Sequence, residues 1–256
     1  MPKSRLDSLV PEQIHALGHD HVTPAHAHPQ GHLVYPATGV LSMVTEAGSW
    51  IAPPNRTVWI PAGFSHQHRA HGTTDMRIMF VPKNMAHLLP ADPVVLVVSP
   101  LAREAALTLT GDDSRDTAAR NRLRRVLIDD LAAAAEQPLH LPEPHDELLQ
   151  AVTHLVQYNM AEPVTLGALG KKIGASERTL SRLFHRETGM SFRQWRAQLR
   201  VHHALLLLAE GRSVTDTSIA CGWANPSAFI EAFTDLVGMT PGTYSRSLHS
   251  AKTTEH

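Results

Sequence analysis

Between Thr165 and Arg246 the chain carries the same local pattern twice: a short apolar-periodic segment, a break, a capping residue and a second apolar-periodic segment. In the first copy Leu166 and Leu169 mark one side of a short helix, and Ile173-Gly174-Ala175 makes a tight turn. Ser176 is a good N-cap for the next helix, whose apolar stripe is Leu180, Leu183 and Phe184. In the second copy a short helix holds Ile219 and Ala220, Gly222 breaks it, Asn225 caps its successor and Pro226 takes the first helical position. Phe229 and Phe233 follow at i, i+4. A helix-turn-helix places the N-terminal half of its second helix in the DNA major groove, and two in one short segment point to DNA binding.

The stretch from about Asp146 to Arg246 is dense in further motifs: "SERTLSRLFHRETGMSF", Trp195, Leu199-Arg200, "LLLLAEG", Gly222 before an aromatic, "PSAF", and Gly238 to Pro241. On these residues the segment resembles the AraC/XylS transcriptional regulators. Gly170 and Ser218 stand where that family usually has Ala, and Trp223 where it has Tyr or Phe. These departures keep small for small and aromatic for aromatic, and we expect them to be tolerated.

A formal net charge of −1 is unusual for a DNA-binding chain until it is mapped. From Lys171 to Arg200 eight basic residues face two acidic ones, +6, whereas Arg212 to Arg246 carries −1. Phosphate neutralisation supplies much of DNA affinity, so the first unit should provide most of the electrostatic grip. With Leu180, Leu183 and Phe184 inward, Arg178, Ser181, Arg182 and His185 lie outside. The resemblance places Arg178, Ser181 and Arg182 at base-contacting positions, and arginine donates in pairs to guanine. The outward positions of the second unit are Ser227, Ile230 and Glu231, and Arg196 is expected to face phosphate. Between the units "SFRQWRAQLRVHHALLLLAEG" reads as one long helix with Trp195 in its core, fixing the separation of the two recognition helices.

Upstream, from roughly Gly18 to Ser99, short runs rich in Val, Ile, Trp and Thr are broken by Gly and Pro, the pattern of an antiparallel β-sandwich or barrel. Two Ala/Leu/Arg-rich helical segments follow, then an extended Pro-rich linker from about Gln137 to His145. The expected architecture is two-domain α+β. An N-terminal β-barrel spans 1–100, a helical dimerisation region and linker 101–144, and an all-α domain with two helix-turn-helix units 145–250. Leu123, Val126, Leu127 and Leu131 form a stripe suited either to a homodimer seam or to packing on the barrel.

The β-region carries His26-Ala27-His28, three residues, His32, six residues, Gly39, and later Pro61-Ala62-Gly63-Phe64-Ser65-His66. This spacing resembles the cupin effector domain of many AraC-like regulators, with His32 at the usual acidic position and Asn55 at a usual glycine. Residues i and i+2 on a strand share a face, so His26 and His28 can converge with His32 and His66 on one ion. Imidazoles suit divalent Zn, Ni, Co, Cu or Fe rather than Mg or Ca. His68 and His71 are candidate accessory ligands. The opposing consideration is a general histidine bias: seven of the 18 histidines lie from His145 onward, where no metal is expected.

Two readings remain open. One is a DNA-binding regulator whose barrel senses a metal or a small organic ligand; the other is a cupin enzyme fused to a DNA-binding module. No acidic residue stands among the four ligand positions, and Glu46, the nearest candidate base, sits in an expected turn, so a non-enzymatic regulator is the expectation. No run approaches the roughly 20 apolar residues of a membrane helix. The start "MPKSRLDSLVPEQ" is too polar for a signal peptide, and the lone Cys221 fits a reducing cytoplasm as a small core residue.

Overall fold

The structure is a computed structural model that describes residues 12–250 except 19, 46, 47, 113, 114, 135 and 138. Its contacts divide the chain into two compact units, 1–41 with 52–137, and 42–51 with 138–256. Among the described residues no helix is long and apolar enough to cross a membrane.

The first unit is built on an antiparallel sheet of β1 (Gln13–Leu17), β2 (His32–Thr45), β4 (Arg56–Ile60), β5 (Gln67–Phe80), β6 (Val94–Val97) and β7 (Glu136–Gln137), ordered β1-β5-β2-β4-β6-β7. β2 continues beyond Leu41 into the second unit. All five residues of β4 are buried, as befits an inner strand covered on both faces. A single turn, α1 (Lys83–Ala86), follows β5, and α2 (Pro100–Thr110) and α3 (Thr117–Ala132) follow β6. Ser99 caps α2 by accepting from Ala102 N at 3.0 Å with Pro100 at the first helical position, and Asp116 caps α3. Glu12 pairs with Arg120 at 3.1 Å and with Arg124, fastening the start of the sheet to α3.

Leu127, Ile128 and Leu131 of α3 and Ala102, Ala106 and Leu109 of α2 join Leu33, Tyr35, Trp59 and Met79 in one core. Of the stripe expected as a dimer seam, Leu127 and Leu131 are therefore consumed inside the unit and Leu123 packs on the same core, while Val126 is 41 % exposed. Burying each leucine contributes roughly 1.5–3 kcal/mol, so the packing alternative prevails for this face.

Among its described residues the second unit contains the end of β2, β3 (Gly48–Ala52, through Ile51), β8 (His140–Pro142) and seven helices: α4 (Glu147–Tyr158), α5 (Leu166–Ile173), α6 (Glu177–Thr188), α7 (Phe192–Ala209), α8 (Val214–Ala220), α9 (Pro226–Val237) and α10 (Pro241–Ser250). Part of the expected free linker is thus a strand: β8 pairs antiparallel with β3, and His140 stacks on Trp50 at 4.1 Å. Gln198 Nε2 donates to His140 O at 2.8 Å, adding a hold from α7. α5 and α6 are joined through Gly174 at φ +75°. α8 and α9 are joined across Gly222 at φ +72°, where a Cβ would stand 2.6 Å from Ala161 O. Only glycine meets both demands at 222.

Candidate functional site

α6 begins where Ser176 Oγ accepts from Thr179 N at 3.1 Å, and its Leu180, Leu183 and Phe184 are buried. That orientation leaves Arg178, Ser181, Arg182 and His185 exposed. α9 starts with Asn225 Oδ1 accepting from Ala228 N at 2.8 Å, buries Phe229, Phe233 and Val237, and exposes Ser227, Ile230 and Glu231. α7 opens with a reciprocal capping box between Ser191 and Gln194 and buries Trp195 and Leu199. Arg196 departs from the phosphate-facing expectation. Its guanidinium donates to Val164 O at 3.4 Å and to Glu162 O, tying α7 to the loop before α5.

Gly170 sits in the turn without crowding, whereas a Cβ there would lie 2.4 Å from Ala175 O, so alanine would not be a neutral exchange at this position. Cys221 is fully buried and burial pushes its thiol up to about 12, which keeps it protonated.

In the first unit the structure gathers five histidines. His26 and His66 form an antiparallel bridge, each backbone N–H donating to the other's carbonyl at 2.9 Å. His28 O accepts from Gly63 N at 2.9 Å, His32 opens β2 opposite Ile60, and His68 N donates to Thr23 Oγ1 at 2.8 Å. Ring centroids of neighbouring pairs lie 4.5 Å apart for His26–His66, 4.6 Å for His28–His32 and 5.0 Å for His66–His68. Phe80 packs against both His28 and His32. The four expected ligands do come together, but ligand nitrogens converge as two triads, His28–His32–His66 and His26–His66–His68, each within 4.8 Å. His68 follows the rule that pairs His26 with His28, since residues 66 and 68 share one strand face.

The tautomers are fixed from the backbone. Nδ1 of His26 and of His66 each lies 2.8 Å from a carbonyl two residues earlier, Pro24 O and Phe64 O, so Nδ1 donates and the Nε2 lone pair is left free. The same outer hydrogen bond orients metal-bound imidazoles. His28 Nε2, His66 Nε2 and both ring nitrogens of His32 and His68 are buried without a hydrogen-bond partner among the described residues. Each such orphan costs about 1–3 kcal/mol, which a coordinated cation would offset. Burial first, then neighbouring imidazoles, push His32 down to about 2 and His68 to about 3. Burial likewise pushes His66 to about 4 and lowers His28. The rings are therefore neutral near pH 7, the form that binds metal. The residues present fit a divalent transition metal. Glu46 lies outside the described residues.

A family model described as a helix-turn-helix domain matches residues 169–247. The HTH-type transcriptional regulator NimR of Escherichia coli K12 is 34% identical over 248 residues, covering 95% of this chain and 89% of that protein. The regulator RipA of Corynebacterium glutamicum is 36% identical over 104 residues, 41% of this chain and 31% of its own length. Among solved structures, a DNA-binding transcriptional dual regulator from E. coli K-12 is similar over 41% of this chain and 96% of its own, at 26% identity and a TM-score of 0.38. ToxT from Vibrio cholerae covers 92% of this chain and 97% of its own, at 8% identity and a TM-score of 0.40. Extended similarity to NimR, a matching helix-turn-helix domain and the helix pairs α5–α6 and α8–α9 lead to one assignment: the chain belongs to the AraC-type helix-turn-helix transcriptional regulators.

Proposed function

We propose that the protein is a metal-responsive regulator, in which a cupin-like N-terminal unit binds one divalent transition metal and its occupancy controls DNA engagement by two helix-turn-helix units. The observation that carries this reading is the set of unpartnered, buried imidazole nitrogens gathered in two triads. His66 belongs to both triads, and with Nδ1 tied to Phe64 O it has one nitrogen to give. The set therefore takes one ion at a time, held by His28, His32 and His66 with His26 and His68 as alternative partners. Zn, Ni, Co or Fe(II) suits an all-imidazole site. The metal supplies positive charge and a bond between β2 and the strand start at β5, and the chain's own residues supply the DNA contacts. Arg178, Ser181 and Arg182 read bases through α6, and Ser227, Ile230 and Glu231 face the second groove segment. A homodimer in this reading uses a face other than the Leu127 and Leu131 stripe, and light scattering at micromolar concentration tests it.

A second reading, a small organic effector, is favoured by a cavity of about 450 Å³ in the same unit. Trp59, Val81 and Leu89 supply apolar wall there, and Lys83 and His87 supply polar groups. Metal analysis of untagged protein, followed by DNA binding with and without the metal, separates the two. His28→Ala with His66→Ala should abolish stoichiometric metal and its effect on DNA affinity. One metal per chain in that double variant, or metal that never changes DNA affinity, would leave the organic ligand as the effector. In the same assay Arg182→Ala should cost roughly 1–3 kcal/mol on a selected site and much less on scrambled duplex.

A further inference from the structure

The second unit holds a cleft of about 310 Å³ that the assignments above leave unused. Arg193, Arg196 and Arg200 stand at i, i+3 and i+7 along α7, so all three fall on one helix face. Trp223, from the turn between α8 and α9, closes the cleft opposite them, and Phe192 and Thr165 complete its wall. Thr165 is the N-cap of α5, whose first-turn N–H groups add positive potential at that wall. Among the described residues no carboxylate lines the cleft. Three arginines thus line a hollow to which no described residue brings a carboxylate.

The donors there are also short of acceptors. Arg196 Nε, Arg200 Nε and Trp223 Nε1 are buried with no hydrogen-bond partner among the described residues. Arg200 Cζ lies 5.4 Å from the centroid of the Trp223 ring, over its face, a cation–π contact that holds the guanidinium at the cleft. Burial, with Arg196 next to it, lowers the Arg200 pKa to about 10, so the group stays charged at neutral pH while desolvated. Buried donors without acceptors are costly, and forked guanidinium groups match the oxygens of a phosphate in pairs.

We propose that this cleft is a phosphate-binding site, in which Arg193 and Arg200 grip the oxyanion, Arg196 holds the wall to the loop before α5, and Trp223 and Phe192 cover the attached carbon skeleton. The inference deepens the DNA-binding reading. The cleft is walled by the approach to α5 on one side and by the α8–α9 turn on the other, so it sits between the two helix pairs. Two sources offer the same chemistry: a backbone phosphate of the DNA between the two recognised segments, and a free phosphorylated small molecule.

The test uses the full chain and a duplex that it selects from a random pool. Each phosphate in turn is replaced by a neutral methylphosphonate, and inorganic pyrophosphate is titrated in a separate arm at constant ionic strength. For a DNA phosphate, one replacement between the recognised segments should weaken wild-type binding about tenfold and leave Arg193→Gln with Arg200→Gln almost unaffected. For a free ligand, pyrophosphate should raise the melting temperature of the wild type and not of the double variant, with no single DNA phosphate singled out. Arg200→Lys keeps the charge without the fork, and should retain the fold while losing most of either response. Arg182→Ala should weaken base readout with the phosphate dependence intact, so failure of groove reading is distinguishable from failure of the cleft. If neither arm separates wild type from folded variants, the cleft is not a phosphate site.

Discussion

At the scale of single residues, side-chain spacing was informative and through-space partners were not. The His-x-His and Pro-x-Gly-x-x-His intervals located His26, His28, His32 and His66, and the two-residue strand repeat also reaches His68. Arg196 is the opposite case. Its acceptors, Glu162 O and Val164 O, belong to a loop about thirty residues away in sequence, and no local pattern encodes that meeting. Gly170 is similar, because its constraint is the carbonyl of Ala175 folded back across the turn. Ala in place of Gly inside a helix ordinarily gains up to about 1 kcal/mol. Here a Cβ 2.4 Å from a backbone oxygen must displace the turn, and such overpacking costs about 1–3 kcal/mol. Gly170→Ala should therefore lower stability in denaturant titration despite the better propensity; an unchanged or raised midpoint would show that the turn yields freely.

Elements that announce their own ends were legible. Ser176 and Asn225 cap helices as their side chains predict, because a cap is a local bond between a residue and the backbone three positions on. β8 was not legible, since three residues carry no useful alternation and their strand character comes from β3. α8 inverts simple hydropathy, burying Thr217 and Ser218 while Ile219 is 66 % exposed. For α3 the stripe itself was visible, but hydropathy alone does not say whether a partner chain or the chain's own sheet covers it. Leu127 is 2 % exposed in the unit's own core. Leu127→Glu places a carboxylate there and should unfold the first unit, with loss of several kcal/mol and of cooperative melting. A folded, soluble variant with a wild-type melting curve would return this face to the role of a seam.

For the whole molecule, the buried imidazoles set an acid limit. His32, His66, His68 and His202 titrate in the folded chain at about 2, 4, 3 and 3, all driven first by burial, against 6.5 when free. The unfolded chain takes up protons below pH 6.5 that the folded one refuses, so stability is full above 6.5 and falls towards pH 4. One unit below 6.5, each group accounts for about 1.4 kcal/mol, and together they rival the whole stability of an ordinary domain. Metal-free protein should therefore melt at steadily lower temperature from pH 6.5 to 5, and a level profile over that range would contradict the burial of these rings. The division of the chain has a different, practical outcome. Because the second unit takes 42–51 as well as everything from 138, no single cut in the gene releases it whole. A polypeptide beginning at residue 138 would keep all seven helices of that unit, yet β8 would present a bare edge and His140 would lose the indole it stacks on. Anyone isolating the helical half must graft the excised hairpin ahead of it, or expect a sticky product.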